Sequence, residues 1–198
     1  LRAADDGDPT AWFELAAEVE MRDLHYLGVL GTRKRSVAQL PIMVHAASDD
    51  ARDVEMADFL RAWIDTGQLR LHLFHMLDAI GKGLSVTEIE WAFSEGRWLP
   101  ARLHYVDPRW ITFDRADGET PLLRETGGSV DGMGEPINPA RHLIHRHPAA
   151  SGLTVKSALT RAVVWAWLFK SYTARDWAIF VQSYGKPLRI GRYHQGAS

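Results

Sequence analysis

The fold depends most on the stretch from Ser157 to Tyr193, which reads SALTRAVVWAWLFKSYTARDWAIFVQSYGKPLRIGRY. Eight apolar residues run without a break from Ala162 to Phe169. This run is far shorter than the roughly 20 residues that a membrane-spanning helix needs, and it is too long and too rich in alanine for a half-buried strand. It predicts a helix that is apolar on all sides, which must be covered by the same domain or by a neighbouring subunit.

A second helix is predicted directly after this run. Thr173 and Asp176 have the spacing of a capping box, and apolar residues follow at the i, i+3, i+4 and i+7 positions of one helix face. These residues are Trp177, Phe180, Val181 and Tyr184. We expect this stripe to pack inside the subunit, against the predicted sheet.

The end of the second helix is marked by two residues. Gly185 suits the left-handed position that closes a helix, and Pro187 prevents its continuation. Apolar and other residues then alternate around Leu188 and Ile190, which predicts a short strand. The stretch is therefore predicted to form a helical hairpin followed by a strand.

The composition is that of a globular protein. The chain has 198 residues, of which 46% are hydrophobic and 24% are charged, which suits one domain, possibly with two lobes. The absence of cysteine excludes disulfides and agrees with a reducing compartment. No signal-peptide or membrane-spanning pattern occurs, and a net charge of −2 gives no global attraction to nucleic acid. Because the sequence begins with Leu1 and ends soon after the predicted strand, we expect a piece of a longer protein.

Helices are predicted over the first part of the chain. Asp8-Pro9 is a favourable helix start, and the helical period continues to about residue 40, before Pro41. The basic cluster from Arg33 to Arg35 is expected to be a solvated helix end rather than a phosphate contact. A short strand is predicted from Pro41 to Ala46. Two further helices follow: one is capped by Ser48-Asp49-Asp50 and ended by Gly67, and one runs from about Gln68 to Gly81.

From Leu84 the pattern changes to the alternation of strands, with a bulge predicted near Thr87. The predicted strands are Leu84–Phe93, Trp98–Val106, Trp110–Phe113 and Leu122–Leu123, joined as an antiparallel meander. Thr126 to Arg141 is rich in glycine and is predicted to be a loop, and His142 to His147 is predicted to be a strand. The chain is thus predicted as one α+β domain, helical over 1–82, with a β-meander over 84–124, a loop over 126–141, and a strand plus helical hairpin over 142–193.

Two histidine pairs and one glutamate pair are candidate chemical sites. His145 and His147 are two apart on a strand and could chelate zinc, but a third ligand would have to come from Glu88 or Glu90. A polar strand face is favoured for these histidines, and a solvated strand edge is favoured for the two glutamates over an acid/base pair.

The remaining patterns give no further chemistry. His72 and His75 are three apart and lack a third ligand, so they are expected to be surface histidines. The segment GGSVDGMG lacks the lysine and hydroxyl residue of a phosphate-binding loop and is not expected to bind phosphate. No serine-hydrolase, zinc-protease or nucleotide-binding motif occurs in the sequence, so neither a catalytic centre nor a cofactor is predicted.

Five segments carry a family resemblance. They are GDPTAWFELAAEVEMRDLHYLGVLGTRKRSVAQLP, AIGKGLSVTEIEW, VDPRWITFD, HLIHRH, and the terminal W-x-W-L-F-K-S-Y-x-x-R-D-W-x-x-F-x-x-x-Y-G-K-P-L-R-I-G-R-Y from Trp165 to Tyr193. Together, and in this order, they resemble the portal proteins of Mu-like phages and prophages. The terminal motif is the most specific, and the segment from Ala79 to Trp91 is the next.

The resemblance implies a structural protein rather than an enzyme. Members form a ring, commonly dodecameric, at one vertex of the virion capsid, and double-stranded DNA passes through it. The implied partners are further copies of the chain, the major capsid protein, the terminase large subunit and the neck or tail proteins, with no membrane. Assembly would take place in the host cytoplasm. The chain would correspond to the wing region, without the stem, the clip or the tunnel loops, so no DNA-contacting residue is assigned.

A ring subunit meets its two neighbours through different surfaces. Trp165 and Trp167 point about 200° apart on a helix, so we expect one to belong to the core and the other to a subunit interface. Two alternatives stay open at this point. One is a small metal-dependent hydrolase that uses His145 and His147, and the other is a different adaptor protein of the phage head.

Overall fold

The computed structural model describes residues 1–2, 9–94, 96–124, 134–186, 190–191 and 196. Its helices are α1 (Thr10–Arg22), α2 (Leu24–Ala38), α3 (Ala51–Asp65), α4 (Gln68–Met76), α5 (Ala79–Lys82) and α6 (Leu159–Tyr184). Its strands are β1 (Leu84–Ser94), β2 (Arg97–Val106), β3 (Ile111–Phe113), β4 (Pro121–Leu123), β5 (Glu135–Pro136) and β6 (His142–Arg146), and a 3₁₀ turn covers Pro108–Trp110. Helices and antiparallel sheets together confirm the predicted α+β class.

The first predicted helix is in fact two helices, so the prediction of one continuous helix is wrong. Asp23 has an extended backbone between α1 and α2, and its carboxylate accepts hydrogen bonds from the backbone N–H groups of His25 and Tyr26. An aspartate that caps a helix in this way competes with the continuation of the preceding helix. The predicted start at Asp8 lies outside the described residues.

The following helices agree more closely with the sequence. Asp50 caps α3 as predicted, accepting a hydrogen bond from the Arg52 N–H, and Gly67 takes the left-handed conformation between α3 and α4. The helix predicted to run to Gly81 is split, since α4 ends at Met76. The strand predicted over Pro41–Ala46 is wrong: this segment is irregular, and its Val44 carbonyl accepts hydrogen bonds from the Arg61 side chain instead of from a strand.

The strands form two three-stranded antiparallel sheets, ordered β2-β1-β6 and β3-β4-β5. A single meander over 84–124 is therefore wrong, because β3 and β4 lie in a different sheet from β1 and β2. The loop predicted over 126–141 contains strand β5. The bulge lies between Glu90 and Trp91 rather than near Thr87. Thr87 is instead buried in the regular part of β1, together with Leu84 and Val86.

The core joins elements that are far apart in sequence. Its largest fully buried side chains include Trp12 and Phe13 from α1, Leu30 from α2, Leu84 from β1 and Ile111 from β3. Val164 of α6 belongs to the same cluster. Gly83 ends α5 at a φ of +91°, and a Cβ there would lie 2.4 Å from the Thr154 carbonyl oxygen. This close approach requires glycine.

The C-terminal stretch forms one helix of 26 residues, so the predicted hairpin is wrong. The Thr173 hydroxyl does not cap a new helix but donates a hydrogen bond to the Phe169 carbonyl, one turn earlier in the same helix. Gly185 has a right-handed φ of −66°, not the predicted left-handed one. The strand predicted around Leu188 lies largely outside the described residues. Among the described helices, none is long and apolar enough to cross a membrane.

Candidate functional site

Helix α6 divides into a packed half and a projecting half. In the first half, Thr160 and Val164 are buried, and the Tyr26 and Thr160 hydroxyls share a hydrogen bond of 2.7 Å. Burial raises the pKa of the Tyr26 phenol to about 12, so Tyr26 stays neutral. From Ser171 to Tyr184 every residue is exposed, and at 1.5 Å per residue this exposed part of the helix is about 20 Å long.

An ion pair holds α6 where its packed half ends. Lys170 Nζ lies 3.1 and 3.2 Å from the two carboxylate oxygens of Asp23. The backbone N–H of Tyr26 lowers the pKa of Asp23, burial opposes this, and Lys170 lowers it further. The same carboxylate that caps α2 therefore fixes the point from which α6 projects.

The projecting half and the turns before it carry a broad apolar surface, which we call the aromatic face. It consists of Trp165, Phe169, Tyr172, Trp177, Phe180 and Tyr184. All six side chains are more than half exposed, and the Trp177 and Phe180 rings stack with their centroids 5.7 Å apart. Contiguous exposed apolar surface of this kind marks a binding surface.

The aromatic face overturns one sequence expectation. Trp177, Phe180 and Tyr184 do form the predicted stripe, but they do not pack against the sheet: Trp177 is 66% exposed and Tyr184 is 73% exposed. The run from Ala162 to Phe169 is only partly covered within one chain, since Val164 alone is buried there, and whether a neighbouring subunit covers the rest stays a prediction.

The two tryptophans singled out from the sequence lie in different environments. Trp165 is 56% exposed and belongs to the aromatic face. Trp167 is half-buried and packs against the core cluster. The sequence missed Phe169 and Tyr172 as members of this face. Their spacing of four and seven residues from Trp165 was the available signal.

A buried charged cluster lies between the helices and β2, and sequence reasoning missed it. Asp78 is central: its carboxylate lies 2.8 Å from Lys34 Nζ and 2.5 Å from Lys82 Nζ, and it accepts a hydrogen bond of 2.6 Å from the Tyr105 hydroxyl. Lys34 also contacts Glu20, at 3.1 Å. Lys34 is only 2% exposed, so its predicted role at a solvated helix end is wrong. The i, i+4 spacing of Asp78 and Lys82 was a usable signal.

The charges of this cluster balance one another. Burial alone would raise the pKa of Asp78, but the adjacent Lys82 and Lys34 ammonium groups lower it below its usual value. Burial and the Asp78 carboxylate raise the pKa of Tyr105 well above its usual value, so its hydroxyl remains a donor. Because the cluster ties α1, α2, α5 and β2 together with its polar groups paired, it stabilises the fold.

The histidines do not converge on a metal site. His145 is half-buried, and its Nδ1 lies 2.8 Å from the Met76 carbonyl oxygen. Its ring centroid is 6.4 Å from that of His147. His72 is not at the surface as predicted. It is buried, and its Nε2 lies 2.9 Å from the Thr87 hydroxyl. Within the described parts of the chain, no three residues of the metal-binding types lie close enough to hold an ion.

The two glutamates of β1 each contact a basic side chain at the surface. Glu88 lies 2.7 Å from Arg141, and Glu90 lies 2.8 Å from His104 Nε2. The hydrogen bond from His104 lowers the pKa of Glu90. Glu90 therefore lacks the raised pKa of a general acid. The glycine-rich segment GGSVDGMG falls almost entirely on residues outside those described.

The candidate functional site of this chain is therefore the aromatic face, a surface for association. The model of one protein family, described as the portal protein of Mu bacteriophage, matches residues 13–198. The chain is 32% identical over 200 residues to the portal protein of Escherichia phage Mu. It is likewise 32% identical over 207 residues to the Mu-like prophage FluMu protein gp29 of Haemophilus influenzae.

The chain belongs to the family of Mu-like phage portal proteins. The resemblance seen in its motifs is thereby confirmed. Both alignments cover all of this chain and 38% of the relative, so the chain spans well under half the length of these curated relatives. The family is structural and not enzymatic.

Proposed function

We propose that this chain is the wing region of a portal subunit, and that copies of the full-length protein assemble into a ring, commonly of twelve, at one capsid vertex of the virion. Double-stranded DNA would pass through the ring. The major capsid protein, the terminase large subunit and the neck or tail proteins would dock on it, after assembly in the host cytoplasm. Family membership supports this proposal.

The observation that carries the assembly part of the proposal is the exposure of the aromatic face. Six aromatic side chains of the projecting helix are exposed to water. Their burial against a partner would contribute a large favourable hydrophobic free energy. Obligate subunit interfaces have this apolar composition. We assign Trp165 to the subunit interface and Trp167 to the domain core.

The matched pair of tryptophans tests this assignment. Trp165→Ala should change the free energy of unfolding of the 198-residue chain by under about 0.5 kcal/mol and impair ring formation by the full-length protein. Trp167→Ala should lower that free energy by about 2 kcal/mol, because a half-buried side chain is lost from the core. Urea unfolding measures the first quantity, and native mass spectrometry with negative-stain microscopy measures the second.

Two outcomes would contradict the proposal. A full-length protein that stays monomeric at micromolar concentration would argue against a portal ring. Intact rings in the Trp165→Ala variant, at unchanged subunit affinity, would remove Trp165 from the interface.

The small net charge of this chain, −2 in total, fits a conduit in which DNA slides, because many contacts to phosphate groups would hold the DNA tightly.

A further inference from the structure

The projecting half of α6 is apolar over a wide part of its circumference. At about 100° per residue, its large apolar side chains extend from the side of Ile179, through that of Phe180, to that of Val181, over about 200°. We call these side chains the apolar arc. Each of them is about half exposed or more: Tyr172, Trp177, Ile179, Phe180, Val181 and Tyr184.

An arc of this width does not suit a helix that packs on one surface. A helix at the surface of a domain carries an apolar stripe roughly 100° wide, whereas a helix that is apolar on all sides is enclosed in a core. The apolar arc is about twice as wide as such a stripe. One flat partner surface would therefore leave part of it in water, and the occupant must wrap around the helix.

The charges of this part of α6 add a second requirement. Asp176 is the one charged residue within the arc, where it lies between the directions of Ile179 and Phe180. A carboxylate enclosed among apolar side chains needs a cationic partner. The remaining sector of the helix holds Arg175, Gln182, a serine and two alanines, and it suits contact with water. The occupant therefore combines a concave apolar surface with one lysine or arginine.

The length of the full-length protein supplies such an occupant. Both curated relatives have more than half of their residues outside the region that this chain matches, which is enough chain for a further domain. A segment of the same chain covers the helix without the loss of translational freedom that a separate molecule incurs. A second copy, by contrast, would leave the apolar arc in water until the subunits assemble.

We propose that residues of the full-length protein outside this 198-residue chain fold around the projecting half of α6 and make it a core helix of a second domain. These residues present apolar side chains to the apolar arc and a lysine or arginine to Asp176. Helix α6 then links two domains. Trp165 and Phe169, in its packed half, stay exposed for the neighbouring subunit of the proposed ring. The inference itself requires only the full-length chain and not the ring.

Cysteine reactivity in the full-length protein tests whether the apolar arc is covered. The 198 residues contain no cysteine, and any cysteines elsewhere are replaced. Thr173→Cys places a thiol within the arc, between the directions of Phe180 and Tyr184. Ser171→Cys is the matched control: it points about 200° away, and both native hydroxyls donate a hydrogen bond to the carbonyl four residues earlier.

The rate of alkylation is compared with that of the same variant unfolded in urea. Folding should slow the reaction of the Thr173→Cys thiol at least about tenfold more than that of the Ser171→Cys thiol. Equal slowing of the two thiols would overturn the proposal, because the arc would then be no better covered than the opposite side of the helix.

A photo-cross-link identifies the occupant. An aliphatic diazirine amino acid replaces Val181 in the full-length protein, and the products of illumination are separated by denaturing electrophoresis and mapped by mass spectrometry. We expect products with the mass of one chain, in which position 181 is linked to residues outside the 198-residue chain. Products of twice that mass would place a second copy on the arc, and links to residues within the 198 would place its own domain there; either result would overturn the proposal. Failure of the unmodified protein to form rings would overturn the proposed function alone, because neither measurement depends on ring assembly.

Discussion

Asp78→Asn should destabilise the domain strongly, because this carboxylate is the shared acceptor of the buried cluster. The substitution keeps the size of the side chain but removes the negative charge that faces Lys34 at 2.8 Å and Lys82 at 2.5 Å. Removing one partner of a buried ion pair costs about 3–5 kcal/mol. We expect about 3 kcal/mol, at the lower end, because Lys34 keeps its contact with Glu20.

The effect is measured by urea unfolding of the 198-residue chain at pH 7, from the midpoint at a constant slope. Asp58→Asn is the control, because the Asp58–Arg61 pair is exposed and its loss should cost under about 1 kcal/mol. The lowered pKa of Asp78 adds a second readout. Its contribution to stability is present above the unfolded-state pKa of about 4 and is lost as the pH falls through the folded-state value. Asp78→Asn should therefore flatten the acid limb of the stability curve.

Two results would refute this reasoning. If Asp78→Asn costs no more than Asp58→Asn, the buried charges do not depend on the carboxylate as the geometry indicates. If the variant loses stability below pH 4 as steeply as the unmodified protein, another group is responsible for the acid limb. A double variant with Lys82→Met should recover part of the lost stability, since it removes one of the uncompensated ammonium groups.

The remaining predictions concern tryptophan and histidine. Trp177→Ala should change the free energy of unfolding of the 198-residue chain by under about 0.5 kcal/mol, whereas Trp12→Ala, at a fully buried position, should lower it by about 3–5 kcal/mol; equal losses in urea unfolding would place Trp177 in the core. Burial, His75 and His104 lower the pKa of His72, so its stability contribution is present above about pH 6.5 and is lost below it. His72→Gln should reduce the difference in urea midpoint between pH 7.5 and 5.5, and an unchanged difference would assign it to other groups. The purified chain should hold no stoichiometric zinc by elemental analysis, and His145→Ala should cost about 1 kcal/mol through the lost hydrogen bond to Met76; one tightly held equivalent of metal would restore the metal-site hypothesis.

Some features of this protein follow from residues that are neighbours in the sequence. Asp50 caps α3 and Gly67 separates it from α4, as their positions predict, because caps and turns depend on contacts within about four residues. The alternation that marks β1 and β2 is equally local. Family membership also followed from the sequence, since the motif from Trp165 to Tyr193 is carried by residue identities alone.

Other features depend on partners that lie far away in the chain, and only the tertiary structure decided them. Strand β6 pairs with β1 across more than fifty residues, and β3 and β4 form a separate sheet with β5 instead of continuing the predicted meander. The sequence predicts Lys34 to lie at the surface. In the structure its Nζ lies 2.8 Å from the carboxylate of Asp78, 44 positions later. The apolar stripe that contains Trp177 has the period of a helix that faces a core. Such periodicity shows that one face of the helix is apolar, but it does not show which surface covers that face. Whether α6 breaks at Thr173, and whether its aromatic face is buried or exposed, depends on how far the rest of the domain extends alongside the helix. Here the packed half ends at the Lys170–Asp23 ion pair, and among the described residues Ser171 to Tyr184 are all exposed.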